Sequence, residues 1–255
     1  MLALISPAKK QDFSPNTTNL SHSQPLFGKQ TQELMATLRN MHEDGLIELM
    51  KVSPKLAKLN VQRFKAFSKA HSIESARQAA LAFQGDTYVG LDAQSMSLED
   101  WSFANDHLAI LSGLYGFLRP LDLIQAHRLE MGTRLETSHG KNLYTFWADA
   151  PTKQINIATQ SQNSPWVINL ASQEYFKVVR QELLHAPLLT PVFKENRDGQ
   201  LKVIGIKAKK ARGMMARFII KNRLLEPEKL KTFNAGGYHF RNDLSNEQEW
   251  VFVAG

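Results

Sequence analysis

WVINLASQEYFKVVRQELL, residues 166–184, sets an apolar, β-branched run against a stretch whose apolar positions recur at helical spacing. Trp166 to Ser172 predicts a buried strand and QEYFKVVRQELL a helix that follows it directly, so the segment reads as strand, tight turn and helix. Outward from it, Leu2 to Ser6 (LALIS) predicts another buried strand that stops at Ser-Pro, with Lys9 just beyond its end. QGDTYVGLDA predicts a strand with turns at both ends, and LLTPVFKENRDGQLKVIGIKA a hairpin around Asn196, Asp198 and Gly199. GYHF and EWVFVAG predict two more short strands.

Helical patterns fill the intervals. Residues 30–70 read as helical with breaks near Gly45 and at Pro54, and SIESARQAALAF continues the pattern from Ser72. Ser97 and Asp100 form a capping box ahead of DWSFANDHLAILSGLYG, a helix expected to run until Gly113 and Gly116 end it. Leu143 to Thr159 predicts a further helix, and Asp12 to Gly28, rich in Ser, Thr, Asn and Pro, a long surface loop. Strands and helices interleave without an internal repeat, which predicts one mixed α/β domain over residues 1–255.

With 255 residues, 43% of them hydrophobic, the chain can bury a substantial core. Its lack of cysteine excludes disulfides, thiolate metal sites, a cysteine nucleophile and thiol redox switching. No signal-peptide pattern and no membrane-length apolar run is present, so the expectation is a cytoplasmic protein, with a monomer favoured. The formal net charge of +7 favours polyanionic partners.

That charge is concentrated in GIKAKKARGMMARFIIKNR, residues 205–223, which carries Lys207, Lys209, Lys210, Arg212, Arg217, Lys221 and Arg223 and no acidic residue. At about 100° per residue, Ala211, Met214, Met215, Phe218 and Ile219 share one side of a helix starting near Lys210, and the cations point away from it. A solvated helix face accounts for such charge. A phosphate site accounts for it too: cations crowd the N-terminal end, where the dipole disfavours them, and Gly213 lies in the same turn.

A second basic segment, IELMKVSPKLAKLNVQRFKAF, reads as two helices around a tight turn, with Pro54 in the first turn of the second and Leu49, Val52, Leu56, Ala57 and Leu59 packing. The segment at about 44–68 resembles a helix-hairpin-helix element, whose hairpin amides hold a DNA phosphate. The glycines usual on both sides of the central apolar residue are replaced here by Lys51 and Ser53, flanking Val52. Lys51, Lys55 and Lys58 can compensate by charge, and an ordinary helical corner remains the alternative.

For catalysis the candidates are Lys9, as a Schiff-base nucleophile or simply a phosphate partner, and Glu174 as general base. Asn169, Ser172, Glu174, Tyr175 and Lys177 crowd a strand end and the following first turn, where open α/β sheets place ligands. Ser172 also suits a helix N-cap, and Glu174 the favourable end of a helix dipole. Tyr144 and Trp147 can stack a base or fill the core, and Phe146 is assigned to the core. The eight histidines show no metal-ligand spacing, so neither a metal nor a cofactor is expected.

ISPAK (residues 5–9), GKNLYTFW (140–147), INLASQEYFK (168–177) and AKKARGMMARFIIKNR (208–223) together resemble the YaaA family, bacterial peroxide-stress resistance proteins. SGLYGFLRPLDL and HRLEMGTRLE fit it as well, so the resemblance covers nearly the whole chain. It implies a single α/β domain of unusual topology with a positively charged cleft and a helix-hairpin-helix element. It also implies binding to double-stranded DNA and protection of DNA and protein from peroxide, with lowered free intracellular iron. Three functions therefore stand: a DNA-binding stress protein that contacts phosphates through Lys9, Lys51, Ser53, Lys55, Lys58, Asn169, Ser172, Lys177, Lys209, Lys210, Arg212, Gly213 and Arg217; a glycosylase- or lyase-like enzyme acting on a nucleobase or nucleotide; and an interaction or iron-handling factor.

Overall fold

Strands buried on both faces mark the centre of the sheet. In the computed structural model, which describes residues 1–14, 20–160, 162 and 164–255, these are β1 (Leu2–Ile5), β2 (Leu108–Ser112) and β4 (Val167–Leu170), every residue of which is buried. β3 (Gly116–Leu118), β5 (Leu188–Arg197), β6 (Gln200–Lys202), β7 (His239–Arg241) and β8 (Glu249–Ala254) complete an eight-stranded mixed sheet. Its order is β7-β8-β5-β4-β1-β2-β3, with β6 on β5. The five strands from β8 to β2 run parallel, and β3, β6 and β7 are antiparallel to their neighbours. One contiguous apolar cluster among the described residues joins sheet and helices, giving a mixed α/β fold in a single domain.

Among the helices are α1 (Gly28–Arg39), α2 (Glu43–Met50), α3 (Pro54–Ala66), α4 (Asp86–Leu91), α5 (Leu98–His107), α6 (Ala150–Gln160) and α7 (Gly205–Lys221). The basic helix α7 starts at Gly205 rather than near Lys210, and it buries Ala208, Ala211, Gly213, Met215, Ala216, Ile219 and Ile220. It crosses α4 backbone to backbone. A Cβ at Gly213 would lie 1.8 Å from the Thr87 carbonyl oxygen, and one at Gly90 would lie 2.1 Å from that of Lys210.

Several expectations are corrected. QGDTYVGLDA is not a strand: after a two-residue bridge at Phe83–Gln84 it forms α4, because Tyr88, Gly90 and Leu91 are buried, with Gly90 against α7. The helix opened by the Ser97–Asp100 capping box ends at His107, and LAILS becomes the buried strand β2. QEYFKVVRQELL gives one helical turn, Gln173–Phe176, and a separate turn at Gln181–Leu183; Val178 and Val179 are buried between them. SIESARQAALAF is helical only over Ala79–Ala82, and the helix expected over 143–159 breaks at Ala148, whose φ is 43°. The helix break expected at Pro54 is present, over 51–53 directly before it, whereas the one expected near Gly45 falls at 40–42, with Gly45 inside α2. In α3 it is Ala57, Asn60 and Phe64 that face inward, while Leu56 and Leu59 are exposed. Of the loop expected over 12–28, residues 15–19 lie outside the described residues.

Candidate functional site

β1 sits between β2 and β4, and the crevice beyond the carboxyl ends of β1 and β4 is where open α/β sheets place ligands. Here it is a cleft of about 300 Å³. Ser6, Lys9 and Lys10 come from the end of β1, Ser172, Glu174 and Tyr175 from the end of β4, residues 84–88 from the turn into α4 and its first residues, and Lys209 and Arg212 from α7. The floor is a serine pair: Ser6 Oγ donates to Ser172 Oγ at 3.3 Å and accepts from the Ser172 N–H at 2.9 Å. Ser172 holds the N-cap position of its short helix, but its side chain makes no capping bond. Tyr88 OH donates to the Ser6 carbonyl at 3.1 Å, and burial raises the pKa of both Tyr88 and Tyr175, keeping these phenols neutral.

Ion pairing sorts the cations. Lys207 pairs with Glu195, which also accepts from Tyr238 OH; burial opposes ionisation of this carboxyl, yet the two donors hold it below the ordinary range. Arg217 donates to the carbonyls of Leu91 and Asp92 at 3.2 and 2.9 Å, satisfying the C-terminal end of α4, and faces the Asp92 carboxylate at 3.5 Å. Lys221 and Arg223 both reach the buried Asp100, at 2.7 and 2.8 Å. Lys209, Lys210 and Arg212 have no ion-pair or hydrogen-bond partner among the described residues. Lys209 and Lys210 are exposed; Arg212 is half-buried in the cleft wall, where desolvation lowers its pKa with no carboxylate to offset it.

Lys9 also lines the cleft, but its ammonium is 2.8 Å from Glu130, a carboxylate that also receives Arg128 at 2.8 Å. A separate cavity of about 20 Å³, which shares Lys9, Glu130 and Tyr175 with the cleft lining, is also lined by Ser112 and His127. Burial pushes His127 down to about 4, so the ring is neutral at physiological pH. Glu174 holds the Gly132 N–H at 3.0 Å through Oε1.

The remaining candidates lie elsewhere. Asn169 is buried behind the cleft, donating to Thr190 Oγ1 at 3.4 Å and accepting from the Ala171 N–H at 3.0 Å, so it shapes the end of β4. Lys177 stacks over Tyr144, 5.1 Å from the ring centroid, outside the cleft lining. Gly213 is sealed against α4 and Arg217 is taken up in holding it, so neither faces the cleft. Trp147 is a core residue that donates to the Gly113 carbonyl at 2.9 Å. Lys51, Ser53, Lys55 and Lys58 lie on the exposed α2–α3 corner and do not line the cleft; Ser53 caps α3 by accepting from the Leu56 N–H at 3.4 Å.

The family model described as peroxide stress protein YaaA matches residues 1–244. The chain belongs to the YaaA family. A UPF0246 protein of Magnetococcus marinus is 51% identical over 253 residues, covering 99% of this chain and 98% of that protein. In this YaaA-family fold, three of the four stretches that carry the sequence resemblance, ISPAK, INLASQEYFK and AKKARGMMARFIIKNR, meet in the cleft. The fourth, GKNLYTFW, adjoins it through Tyr144 OH, which donates to the Glu174 carbonyl at 2.9 Å.

Sequence reasoning missed Asp86, Thr87 and Tyr88, because a strand reading of QGDTYVGLDA hid the turn that brings them in. It also missed Glu130, although HRLEMGTRLE carried it beside Arg128 at the spacing that lets both bond.

Proposed function

We propose that this peroxide stress protein binds DNA through backbone phosphates, with Lys209, Lys210 and Arg212 as the principal contacts and Lys9 and the Ser6–Ser172 pair beside them. One observation carries the reading: the basic segment 205–223 has acidic partners for Lys207, Arg217, Lys221 and Arg223, and these three cations, within four consecutive residues, have none among the described residues. Adjacent unpaired cations repel one another, and a bound polyanion relieves that repulsion while releasing counterions. On this reading double-stranded or distorted DNA is the partner, the exposed lysines of the α2–α3 corner are an auxiliary contact, and any effect on free iron is indirect, through occupied DNA.

The test is fluorescence anisotropy of labelled duplex, single-stranded and gapped DNA over a salt series, with a Lys209→Ala/Lys210→Ala/Arg212→Ala variant alongside. Wild-type affinity falls steeply with salt, and the variant flattens the log–log slope by about 2 to 3, since each phosphate contact contributes roughly 0.9. Equal slopes for the two proteins would refute the assignment.

A second reading, an enzyme acting on a nucleobase or nucleotide through Lys9, is favoured by Lys9 and Glu174 lining one cleft. Its obstacle is the Lys9–Glu130 pair, since an ion-paired ammonium must shed its proton and its partner before it attacks a carbonyl. Borohydride trapping on abasic or modified DNA decides it: an adduct lost in Lys9→Ala establishes an imine, and no adduct removes that route.

A further inference from the structure

We infer that the cleft takes one nucleotide unit, its phosphate on Arg212 and Lys209 and its ring against Tyr88 and Tyr175, so that DNA bound there presents an extruded nucleotide. The inference rests on the phosphate-binding reading above and narrows its ligand.

Size is the first argument. A cleft of about 300 Å³ stands at the small end of the range that encloses compact ligands, about 300–1,000 Å³. A double helix, whose major groove alone is about 12 Å wide, stays on its rim. The second argument is where the charge sits. Lys210 is exposed outside the cleft lining, where duplex phosphates can reach it, Lys209 is exposed at the cleft itself, and Arg212 is half-buried in the wall with no partner among the described residues. A half-buried guanidinium without a carboxylate is satisfied by an anion that enters, and its planar fork suits a phosphate.

The rest of the lining suits the remainder of a nucleotide. Tyr88 and Tyr175, 6% and 9% exposed, are the aromatic side chains of the cleft lining that an entering base meets. Glu174 engages one oxygen with the Gly132 N–H, and its other oxygen can accept from an exocyclic amino group. The serine hydroxyls of the floor can bond a sugar. Duplex DNA delivers such a unit by swinging a nucleotide out of the stack, at least cost where pairing is already damaged. A free nucleoside monophosphate offers the same chemistry.

2-Aminopurine, whose fluorescence rises on unstacking, distinguishes the sources. The full-length protein is titrated into duplexes carrying it in a normal pair and opposite an abasic site, with anisotropy read on the same samples, and separately into 2-aminopurine deoxyribonucleoside monophosphate. The expected result is duplex binding with a several-fold fluorescence rise, larger opposite the abasic site. That rise is lost in Ser172→Trp, which fills the cleft, and in Arg212→Gln, a smaller, uncharged polar side chain in the same half-buried place that keeps the test available should the tryptophan not fold. Duplex binding without a rise on either duplex, together with no binding of the monophosphate, overturns the inference and leaves the phosphate reading standing. A rise that persists in both folded variants also overturns it. Binding of the monophosphate without duplex binding keeps the one-nucleotide cleft and removes the DNA reading.

Discussion

The α2–α3 corner and the helix α7 are both rich in lysine, but the fold treats them differently. At the corner Lys51, Lys55 and Lys58 are all exposed and none lines the cleft, and the hydroxyl in the turn, that of Ser53, is occupied in capping α3. On α7 Lys207, Arg217 and Lys221 are fixed on carboxylates of β5, the end of α4 and α5, and Arg223, just past its end, shares Asp100 with Lys221; of the three left over, Lys209 and Arg212 line a cleft and Lys210 is exposed outside its lining. Charge density along a sequence therefore says little by itself; the acidic residues that the fold brings up decide which cations are available. Exposed surface pairs contribute little to stability, so the sorting matters for binding more than for folding, except where a partner is buried, as Asp100 and Glu195 are.

The strongest challenge to this contrast is steric. If α7 owes its place to the crossing with α4, Gly213→Ala, which sets a methyl 1.8 Å from a carbonyl oxygen, destabilises by about 3 kcal/mol or more and collapses the cleft wall. At the corner, Gly45 has nothing within 4 Å of an added Cβ, so Gly45→Ala is neutral or stabilising by about 0.5–1 kcal/mol. Thermal melts of the two variants check the difference, and similar melting temperatures would show that the α4–α7 crossing can yield.

Next in size is DNA affinity. Removing Lys209, Lys210 and Arg212 is expected to weaken duplex binding by more than tenfold, about 2 kcal/mol at moderate salt, whereas Lys51→Ala/Lys55→Ala/Lys58→Ala costs less and shifts the salt slope by about 1. Equal losses in the two triple variants would make corner and cleft parts of one DNA surface.

Much of this contrast was hidden in the sequence, for identifiable reasons. LALIS and WVINLAS were legible as strands because short, β-branched apolar runs bounded by turn residues have few other uses, and the capping box at Ser97 and Asp100 forms both of its bonds. LAILS was not, since an apolar run joined to a helical pattern fits either state, and only pairing with β1 decides it. The cleft was legible in its two strand ends and in the basic helix. It was not legible in Asp86, Thr87 and Tyr88, whose helix exists because two glycines permit a close crossing between segments more than a hundred residues apart. The partners of the basic helix lie in other elements, so inspection of its own i±4 neighbours made all seven cations look free.

A smaller effect probes the paired half of α7. Burial opposes ionisation of Asp100, but hydrogen bonds from Lys221, the Ser97 N–H and Arg223 outweigh it and hold the carboxyl well below the ordinary range. A depressed carboxyl stabilises the fold above its unfolded pKa of about 3.9, and that contribution is lost as pH falls below it. Asp100→Asn, which also weakens the capping box, costs about 1–2 kcal/mol at neutral pH. The loss shrinks in melts taken below pH 4, and a gap of constant size down to pH 2 would show that the carboxylate charge contributes nothing.

The smallest effect lies in the corner's backbone. Lys51 ends α2 at φ 52°, in the left-handed region where a side chain costs about 1 kcal/mol and glycine costs almost none. Lys51→Gly also removes a cation, so its two consequences separate: the melt gains about 0.5–1 kcal/mol whatever the corner does, and duplex affinity reports the corner's role. If the hairpin amides hold a phosphate, glycine lets the backbone approach more closely, and affinity is kept or improved despite the lost charge. If Lys51 acts only as a charge near DNA, affinity drops slightly and the salt slope falls by a fraction of the shift in the triple corner variant. Backbone capture and charge attraction thus move affinity in opposite directions in one stable variant, and that sign shows whether the corner works by the same means as the cleft or only adds charge to its surroundings.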